Sequence, residues 1–150
     1  MLRVCRAALG SGPDADDAWS ETFLSAFVGW PDLAAGANVQ AWLVRIAQRK
    51  SIDVIRRRVR DPAPVDVVPE TLAAAARSQD RDIWHTVARL PEKQRLALAY
   101  HYFGGLSHVE TATLIESTPD AVRRAAADGI KALRKQLRPD TTHSSKGAVR

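Results

Sequence analysis

The sequence has a single cysteine, Cys5, among its 150 residues. An intrachain disulfide is therefore excluded, and this cysteine usage is typical of proteins from the reducing cytoplasm. Aromatic residues are few, and no apolar run approaches the roughly 18 residues that a membrane span requires. The segment MLRVCRAALG carries arginines through its apolar part, so it does not resemble a secretory signal peptide. We expect a cytoplasmic protein without membrane insertion.

The sequence also lacks the usual signatures of an enzyme or a metalloprotein. The four histidines have neither cysteine partners nor the spacing of metal ligands. No glycine-rich phosphate-binding loop is present, because Gly104–Gly105 fits a helix terminator. Cys5 has no basic constellation that would mark a nucleophile, and the role of a small buried apolar residue fits it better. We predict no catalytic residue, no metal and no cofactor.

Positive charge is what the sequence has in excess, with a formal net charge of +5. This balance favours an anionic partner, nucleic acid before membrane. The charge is densest in WLVRIAQRKSIDVIRRRVR, residues 42–60, where seven basic residues accompany one acid, Asp53. The stretch contains no Pro or Gly and predicts one helix of about five turns. Its apolar residues fall on two sides, so we expect packing on both sides and an arginine-rich edge. A solvated basic face without a ligand is the alternative.

Residues 1–60 predict three helices. Residues 1–9 have the pattern of the last turns of a helix that Gly10 ends. After the breaker SGP, carboxylates suit a helix N-terminus, and aromatic residues follow at helical spacing: Trp19, Phe23, Phe27 and Trp30. We predict that these aromatic residues belong to the core and that Asp17 and Glu21 form an acidic opposite face. The segment PDLAAGANVQ predicts a loop before the basic helix.

The second half of the chain predicts a helix-turn-helix. Residues 61–68 are rich in proline and short of apolar residues, which predicts a linker. The helical pattern resumes at Pro69 and is interrupted by Leu90–Pro91 and Gly104–Gly105. Ser107 and Glu110 have the spacing of a capping box, and Thr118–Pro119 that of another helix start. Two helices joined by so short a turn form a helix-turn-helix. The polar residues 139–150 predict a disordered tail.

These two halves suggest contact with DNA. The second helix of a DNA-binding helix-turn-helix lies in the major groove. Many all-helical proteins contain the motif without binding DNA. A second basic module in the same chain favours DNA as the partner, because the release of counterions from DNA phosphates strengthens binding by both modules. Trp42 and Asn38 suit the binding of an unpaired strand, by stacking and by an amide hydrogen bond. A tryptophan that belongs to the core is the alternative for Trp42.

Taken together, these segments resemble the extracytoplasmic-function (ECF) sigma factors of bacterial RNA polymerase, from about residue 2 to residue 138. DADDAWSETFLSAF is similar to the polymerase-binding helix of that family, WLVRIAQRKSIDVIRRR to its −10-element helix, and residues 90–137 to its −35-binding module. The resemblance implies an all-α fold with two small helical domains on a flexible linker. The implied boundaries are 1–60 for sigma region 2, 61–68 for the linker, 69–138 for sigma region 4 and 139–150 for the tail.

The resemblance also implies partners and binding residues. The partners are core RNA polymerase, which would carry out the catalysis, promoter DNA and, as for many members, an anti-sigma factor. The residues implied to bind polymerase are Asp16, Asp17, Ser20, Glu21 and Phe23. Those implied to bind the −10 element and hold its strand open are Asn38, Trp42, Arg45, Arg49, Arg56, Arg57 and Arg58. Those implied to bind the −35 element are Lys93, Gln94, Arg95, Thr118, Asp120, Arg123, Arg124 and Lys131.

Several positions depart from the family pattern. The family's first helix is longer, so we expect about a dozen further residues before the first helical turns, which a misplaced start codon would explain. Ser20 stands where Gln is usual, and Lys50 places an ammonium group on an apolar side of its helix. In the helix-turn-helix, large apolar residues and a glycine are replaced at four positions: Thr111, Ser117, Ala126 and Glu116. We expect this module to fold loosely or to bind the −35 element weakly.

Two other functions remain open from the sequence. One is a transcription regulator that uses the helix-turn-helix without polymerase. The other is a degraded sigma paralogue that docks on polymerase as an interaction protein but starts no transcription. The acidic helix favours a polymerase-binding protein over a plain regulator, since a regulator has no use for it.

Overall fold

Residues 1–62 and 78–137 are described by the computed structural model, apart from the side chains of residues 78–82. These residues contain seven α-helices and no strand, so the predicted all-α class is confirmed. The helices are α1 Leu2–Leu9, α2 Pro13–Gly29, α3 Val39–Arg60, α4 Ser78–Ala88, α5 Glu92–Ala97, α6 His108–Leu114 and α7 Pro119–Gln136. A 3₁₀ turn, Trp30–Asp32, follows α2, and a π-helical segment, Leu98–Phe103, continues α5. Most of the predicted linker, the helix start at Pro69 and the predicted tail lie outside the described residues.

The predicted helix end at Gly10 and the predicted helix starts at Ser107 and Thr118 are confirmed, because their capping groups are in place. Gly10 ends α1 with a φ of 91°, a conformation that costs glycine little. The Ser107 hydroxyl accepts a hydrogen bond from Glu110 N, and Ser107 N donates to the Glu110 carboxylate, which completes the capping box. The Thr118 hydroxyl accepts from Ala121 N, with Pro119 at the first position of α7.

The aromatic residues of α2 lie on the surface, so the prediction that they belong to the core is wrong. Phe27 is 82% exposed and Trp30 is 57% exposed, and both Trp19 and Phe23 are exposed as well. The buried positions of α2 carry small side chains, namely Ala15, Ala18, Thr22 and Ala26. Their spacing of three or four residues makes one stripe, against which α1 and α3 pack. The aromatic periodicity marks a second, exposed face of the same helix.

The basic helix α3 buries one side rather than two. Its buried residues recur every three or four positions, at Ala41, Val44, Ala47, Ser51 and Val54. On the second apolar side, Val59 is 81% exposed and Ile55 is exposed as well. The predicted packing on that second side is therefore wrong for the C-terminal turns of α3.

One hydrophobic core runs through both halves of the chain. In the first half it is centred on α1, whose Val4, Cys5, Ala7 and Ala8 are almost fully buried. Besides α2 and α3, α1 also contacts α4, α5 and the π-helical segment. The second half contributes Trp84, Val87, Leu90, Leu98, Ala99, Tyr100, Leu106 and Leu133 to the same cluster. A smaller cluster, formed by Ala97, Ala112, Val122 and Ala126, joins α6 to α7.

The turn of the helix-turn-helix uses a left-handed residue that is not glycine. Glu116 has a φ of 52°, a conformation that costs an L-residue roughly 1–2 kcal/mol. The sequence placed Glu116 at the position where a glycine was expected, and the backbone conformation agrees with that assignment. Among the described helices, none has both the length and the apolar character needed to cross a membrane.

Candidate nucleic-acid interface

The exposed edge of α3 carries most of the residues predicted to bind the −10 element. Asn38, Trp42, Arg45, Arg49 and Arg56 follow one another at intervals of three, four or seven residues, so they line one side of the helix. Asn38, Arg45, Arg49 and Arg56 are exposed, and Trp42 is half-buried. We call these five residues the α3 edge. It presents three guanidinium groups and one aromatic ring in a row that is long enough to follow several nucleotides.

The upstream end of the α3 edge is fixed by two contacts. The Asn38 side chain accepts a hydrogen bond of 3.0 Å from Ala41 N, so its oxygen caps α3 and its amide NH₂ stays available. The ring of Trp42 packs edge-on against Trp30, with 6.2 Å between centroids. A Cβ added to Gly29 would lie 3.3 Å from the Trp42 ring, so glycine makes room for it. Trp42 is therefore half-buried against Trp30 and Gly29, which agrees with neither a fully buried core role nor a free ring.

Arg57 and Arg58 do not belong to this edge. Arg58 points to the opposite side of α3. Its Nε donates to Asp14 Oδ2 at 2.6 Å, and its Nη2 donates to Leu9 O at 3.3 Å. The contact with Leu9 O satisfies a carbonyl at the C-terminal end of α1, where basic groups are favoured. Arg58 thus connects all three helices of the first half, a structural role that the sequence did not predict. Arg57 is exposed at the side of the α3 edge.

Most of the acidic residues of α2 are paired with bases from neighbouring helices. Lys50 Nζ lies 3.5 Å from the Glu21 carboxylate, and an Arg6 nitrogen lies 3.9 Å from Asp16. The Lys50 side chain is only 26% exposed, so its stem covers apolar surface while its ammonium group reaches Glu21. Asp17 and Ser20, which were predicted to bind polymerase, are exposed on α2.

A wide apolar groove lies beside the acidic residues of α2. It has a volume of about 1120 Å³ and is lined by residues of α2, the 3₁₀ turn and the start of α3, including Phe23, Phe27, Trp30, Trp42 and Leu43. Phe23 is therefore the predicted polymerase-binding residue with the largest accessible apolar surface. A groove lined almost entirely by apolar side chains is a candidate interaction surface.

The helix-turn-helix presents the N-terminal turn of α7 to solvent. Thr118, Asp120, Arg123 and Arg124 are exposed there, and Lys131 is exposed two turns later. Asp120 accepts a hydrogen bond of 2.8 Å from Arg123, so part of the positive charge is neutralised within the helix. Weak binding of the −35 element stays a prediction, and this ion pair supports it.

The three predicted phosphate contacts of α5 occupy different environments. Lys93 is exposed and Gln94 is half-buried against α7, where Gly129 allows close packing. Arg95 is half-buried, and its Nε is buried without a hydrogen-bond partner. The positive charge of Arg95 partly opposes the rise that burial causes in the pKa of Tyr100.

Sequence reasoning missed the contacts that join α3 to the helix-turn-helix half. Gln40 donates to Gly104 O at 2.6 Å, and Gln48 donates to Leu114 O at 3.3 Å. The stacked imidazoles of His101 and His108, with centroids 4.0 Å apart, lie in the same half. Periodicity alone does not distinguish a glutamine that crosses to another helix from one that faces solvent.

In the part of the chain that the structure describes, four titratable groups have shifted pKa values with clear causes. Burial raises the pKa of the Cys5 thiol to about 11, and burial followed by the neighbouring Cys5 raises the pKa of Tyr100. Hydrogen bonds from the Ser107 amide and hydroxyl lower the pKa of Glu110, and Arg45 adds to that effect. Desolvation, then His101 and Arg123, lowers the pKa of His108. The Glu110 shift indicates that Arg45, on the α3 edge, lies near the start of α6.

Within residues 1–62 and 78–137, no group of three or more His, Cys, Asp or Glu side chains could hold a metal ion.

Comparison with known proteins identifies the family of this chain. The family profile described as Sigma-70 region 2 matches residues 1–61, and the profile described as Sigma-70, region 4 matches residues 80–133. The ECF RNA polymerase sigma factor SigD of Mycobacterium tuberculosis (strain ATCC 25618 / H37Rv) is 34% identical over 151 residues, which covers 91% of this chain and 71% of SigD. The chain belongs to the ECF RNA polymerase sigma factors.

Two further relatives agree with this assignment. The ECF RNA polymerase sigma factor SigW of Bacillus subtilis (strain 168) is 28% identical to this sigma factor over 156 residues, which covers 92% of the chain and 83% of SigW. The sigma factor RpoE of Bartonella quintana, solved in complex with the anti-sigma factor NepR, has the same fold. Its TM-score is 0.70 at 22% identity, over 93% of this chain and 91% of RpoE.

The resemblance inferred from the sequence is therefore confirmed. The sigma factor binds core RNA polymerase and recognises promoter DNA. Its membership of the family favours transcription initiation over a regulator that acts without polymerase.

Proposed function

We propose that the α3 edge binds and holds open the −10 strand, while the exposed turn of α7 binds the −35 element. The observation that carries this proposal is the alignment of Asn38, Trp42, Arg45, Arg49 and Arg56 along one exposed side of α3. Stabilising a separated strand needs a stacking surface and positive charge but no bond chemistry. Catalysis then belongs to the polymerase, and the sigma factor acts in the cytoplasm, where that enzyme works.

The polymerase-binding surface in this proposal is the exposed face of α2. Asp17, Ser20 and Phe23 lie on it, and Glu21 contributes a carboxylate that Lys50 partly neutralises. Acidic and aromatic side chains on one helix suit a basic partner with an apolar centre. Region 2 corresponds to residues 1–60 and region 4 to residues 69–138 in this scheme, with residues 61–68 between them. An anti-sigma factor is a further partner, as the complex of RpoE with NepR suggests.

Transcription with purified core RNA polymerase tests the function. The template is fragmented genomic DNA of the source organism, and the transcripts are mapped by sequencing their 5′ ends. We expect discrete start sites that appear only when the sigma factor is added to core polymerase. Binding to core polymerase without such transcripts would instead favour a degraded paralogue. Binding to DNA without affinity for polymerase would favour the regulator.

A matched pair of substitutions assigns the surfaces. Asp17→Asn with Phe23→Ser alters the proposed polymerase surface, whereas Arg45→Ala alters the proposed strand-binding surface. We expect the first variant to lose affinity for core polymerase and the second to keep it. The reverse pattern would contradict the assignment.

A further inference from the structure

We propose that Asp128 selects a cytosine within the −35 element, by accepting a hydrogen bond from the exocyclic amino group of that base. This inference rests on the proposed function, because it requires that α7 binds the −35 DNA. It goes further by assigning base specificity to an acidic residue that was not among the predicted DNA-binding residues. Without a partner on the DNA, a carboxylate in that place would only weaken binding to a polyanion.

Asp128 lies in the middle of the exposed face of α7. The buried residues of this helix recur every three or four positions, at Val122, Ala126, Gly129 and Leu133. The opposite face carries the exposed residues Asp120, Arg124, Ala127, Asp128 and Lys131. Arg124 and Lys131, which were predicted to bind the −35 element, are seven residues apart, or about 10 Å along the helix. Asp128 lies between them, so DNA that contacts both also faces Asp128.

The carboxylate of Asp128 is available to accept hydrogen bonds. None of the residues that the structure describes forms an ion pair or a hydrogen bond with it. Arg124, one turn earlier, instead donates from its Nε to Asp120 O at 3.4 Å. The carboxylate of Asp120 differs, because it accepts a hydrogen bond of 2.8 Å from Arg123. Of the two carboxylates of α7, only that of Asp128 has its full accepting capacity left.

The neighbours of Asp128 leave room for a close approach to the bases. The aspartate side chain is short, so it reaches a base edge only where the helix lies deep in the groove. Ala127 is exposed and Ala125 is half-buried, and both side chains end at Cβ. The major groove is about 12 Å wide and admits an α-helix, and small side chains make this part of α7 narrow. Asp128 is therefore suited to the floor of the groove, away from the phosphates along its walls.

The base edges in the major groove offer few partners to a carboxylate. Amino donors are present there on cytosine and adenine, whereas guanine and thymine present acceptor oxygens. An ionised carboxylate only accepts hydrogen bonds, so guanine and thymine repel it. Adenine also presents the acceptor N7 beside its amino group, whereas cytosine presents its donor without an acceptor. Cytosine is therefore the base that fits Asp128 best.

This contact contributes specificity more than affinity. A base without an amino donor leaves the desolvated carboxylate unpaired, which disfavours the wrong sequence. The affinity comes instead from the neighbouring cations, including Arg124 and Lys131, which attract phosphates of any sequence. We therefore expect a −35 contact that is weak overall and selective at one base pair.

Selection of DNA by the complete polymerase complex tests the role of Asp128. Core polymerase with the sigma factor is offered a promoter mapped by the transcription assay, with its −35 region randomised, and the bound DNA is sequenced. We expect the unaltered chain to enrich cytosine about tenfold at one position. Asp128→Asn should shift that position to adenine, because an asparagine amide pairs with adenine N6 and N7. Asp128→Ala should leave the position without preference.

Glu116→Gln is the matched control for the change in charge. Glu116 is exposed in the turn before α7, so this substitution removes one negative charge from the same helix-turn-helix. We expect Glu116→Gln and Asp128→Asn both to raise the overall affinity for DNA, because both reduce repulsion from phosphates. Glu116→Gln should keep the cytosine preference. The same change of base preference in this control would overturn the inference.

The outcomes separate this inference from the proposed function. Enrichment of one −35 sequence by the unaltered chain and by both Asp128 variants alike would overturn the role of Asp128. That result would leave the assignment of α7 to the −35 element intact. Absence of any enriched −35 sequence with the unaltered chain would instead contradict the proposed binding of that element by α7, and the inference with it.

Discussion

Cys5 is the residue whose chemistry depends most directly on the fold. Burial raises the pKa of its thiol from 9.0 to about 11, so the folded chain holds its proton over a range in which the unfolded chain releases it. The resulting stabilisation is complete below about pH 9 and is lost as the pH rises toward 11. We expect Cys5→Ala to remove part of this pH dependence when urea unfolding is followed between pH 8 and pH 11. An identical pH dependence in both proteins would contradict the assigned cause.

Lys50 and Arg58 make contacts that could not be predicted from the sequence. Lys50 was recognisable as a cation on an apolar side of α3, but its ion pair with Glu21 depends on how α2 packs on α3. Arg58 belongs to the same run as Arg56 and Arg57, yet it joins Asp14 to Leu9 O on the opposite side of the helix. A run of arginines predicts positive charge. It does not show which guanidinium groups make hydrogen bonds and ion pairs within the protein.

Arg56 and Arg58 therefore have separable effects. Arg58→Ala should lower the free energy of unfolding by about 1 kcal/mol, because an exposed ion pair and a contact with the end of α1 are lost. Arg56→Ala should leave that free energy within about 0.5 kcal/mol of its original value, as is usual for exposed positions. Urea unfolding of the two variants measures this. Equal destabilisation by both would show that Arg58 has no special structural role.

At the scale of the elements, α6 contains a buried polar group that its neighbours do not satisfy. Thr111 is fully buried and its hydroxyl has no hydrogen-bond partner. Thr111→Val keeps the shape and removes the unsatisfied group, so we expect a gain of about 1–2 kcal/mol in the free energy of unfolding. Thr113→Val on the same helix is the control, because Thr113 is exposed and bonded to Val109 O. Destabilisation by Thr111→Val would indicate that the hydroxyl has a partner after all.

The ends of the helices were predictable where a few neighbouring residues determine them. Caps at Ser107 and Thr118, and the left-handed turn at Glu116, depend on a few neighbouring residues and agree with the structure. The cap at Asn38 was not predicted, because the sequence placed Asn38 in a loop and the helix start at Trp42, whereas α3 begins at Val39. The face that α2 buries was not predictable from its aromatic spacing, because a stripe of alanines and one threonine packs there instead. The π-helical segment after α5 left no signal in the periodicity of the sequence.

At the scale of the whole molecule, the packing of the two halves is the main feature that the sequence did not indicate. Each half has its own apolar pattern, but the shared core depends on contacts between α1 and a segment almost a hundred residues later, Leu98–Phe103. Contacts of that kind depend on the shapes of two folded surfaces. They therefore leave no recognisable periodicity in the sequence of either segment.

Strand opening by the polymerase complex is the step that the α3 edge is proposed to carry out. The measurement is the fluorescence of 2-aminopurine placed in the −10 element of a promoter mapped as described above, with polymerase binding determined in parallel. We expect Arg49→Ala with Arg56→Ala to reduce opening about 100-fold, since two contacts to charged phosphates are lost, while affinity for core polymerase is unchanged. Opening at the original level by this variant, or an equal loss of opening and polymerase binding, would contradict the assignment of the α3 edge.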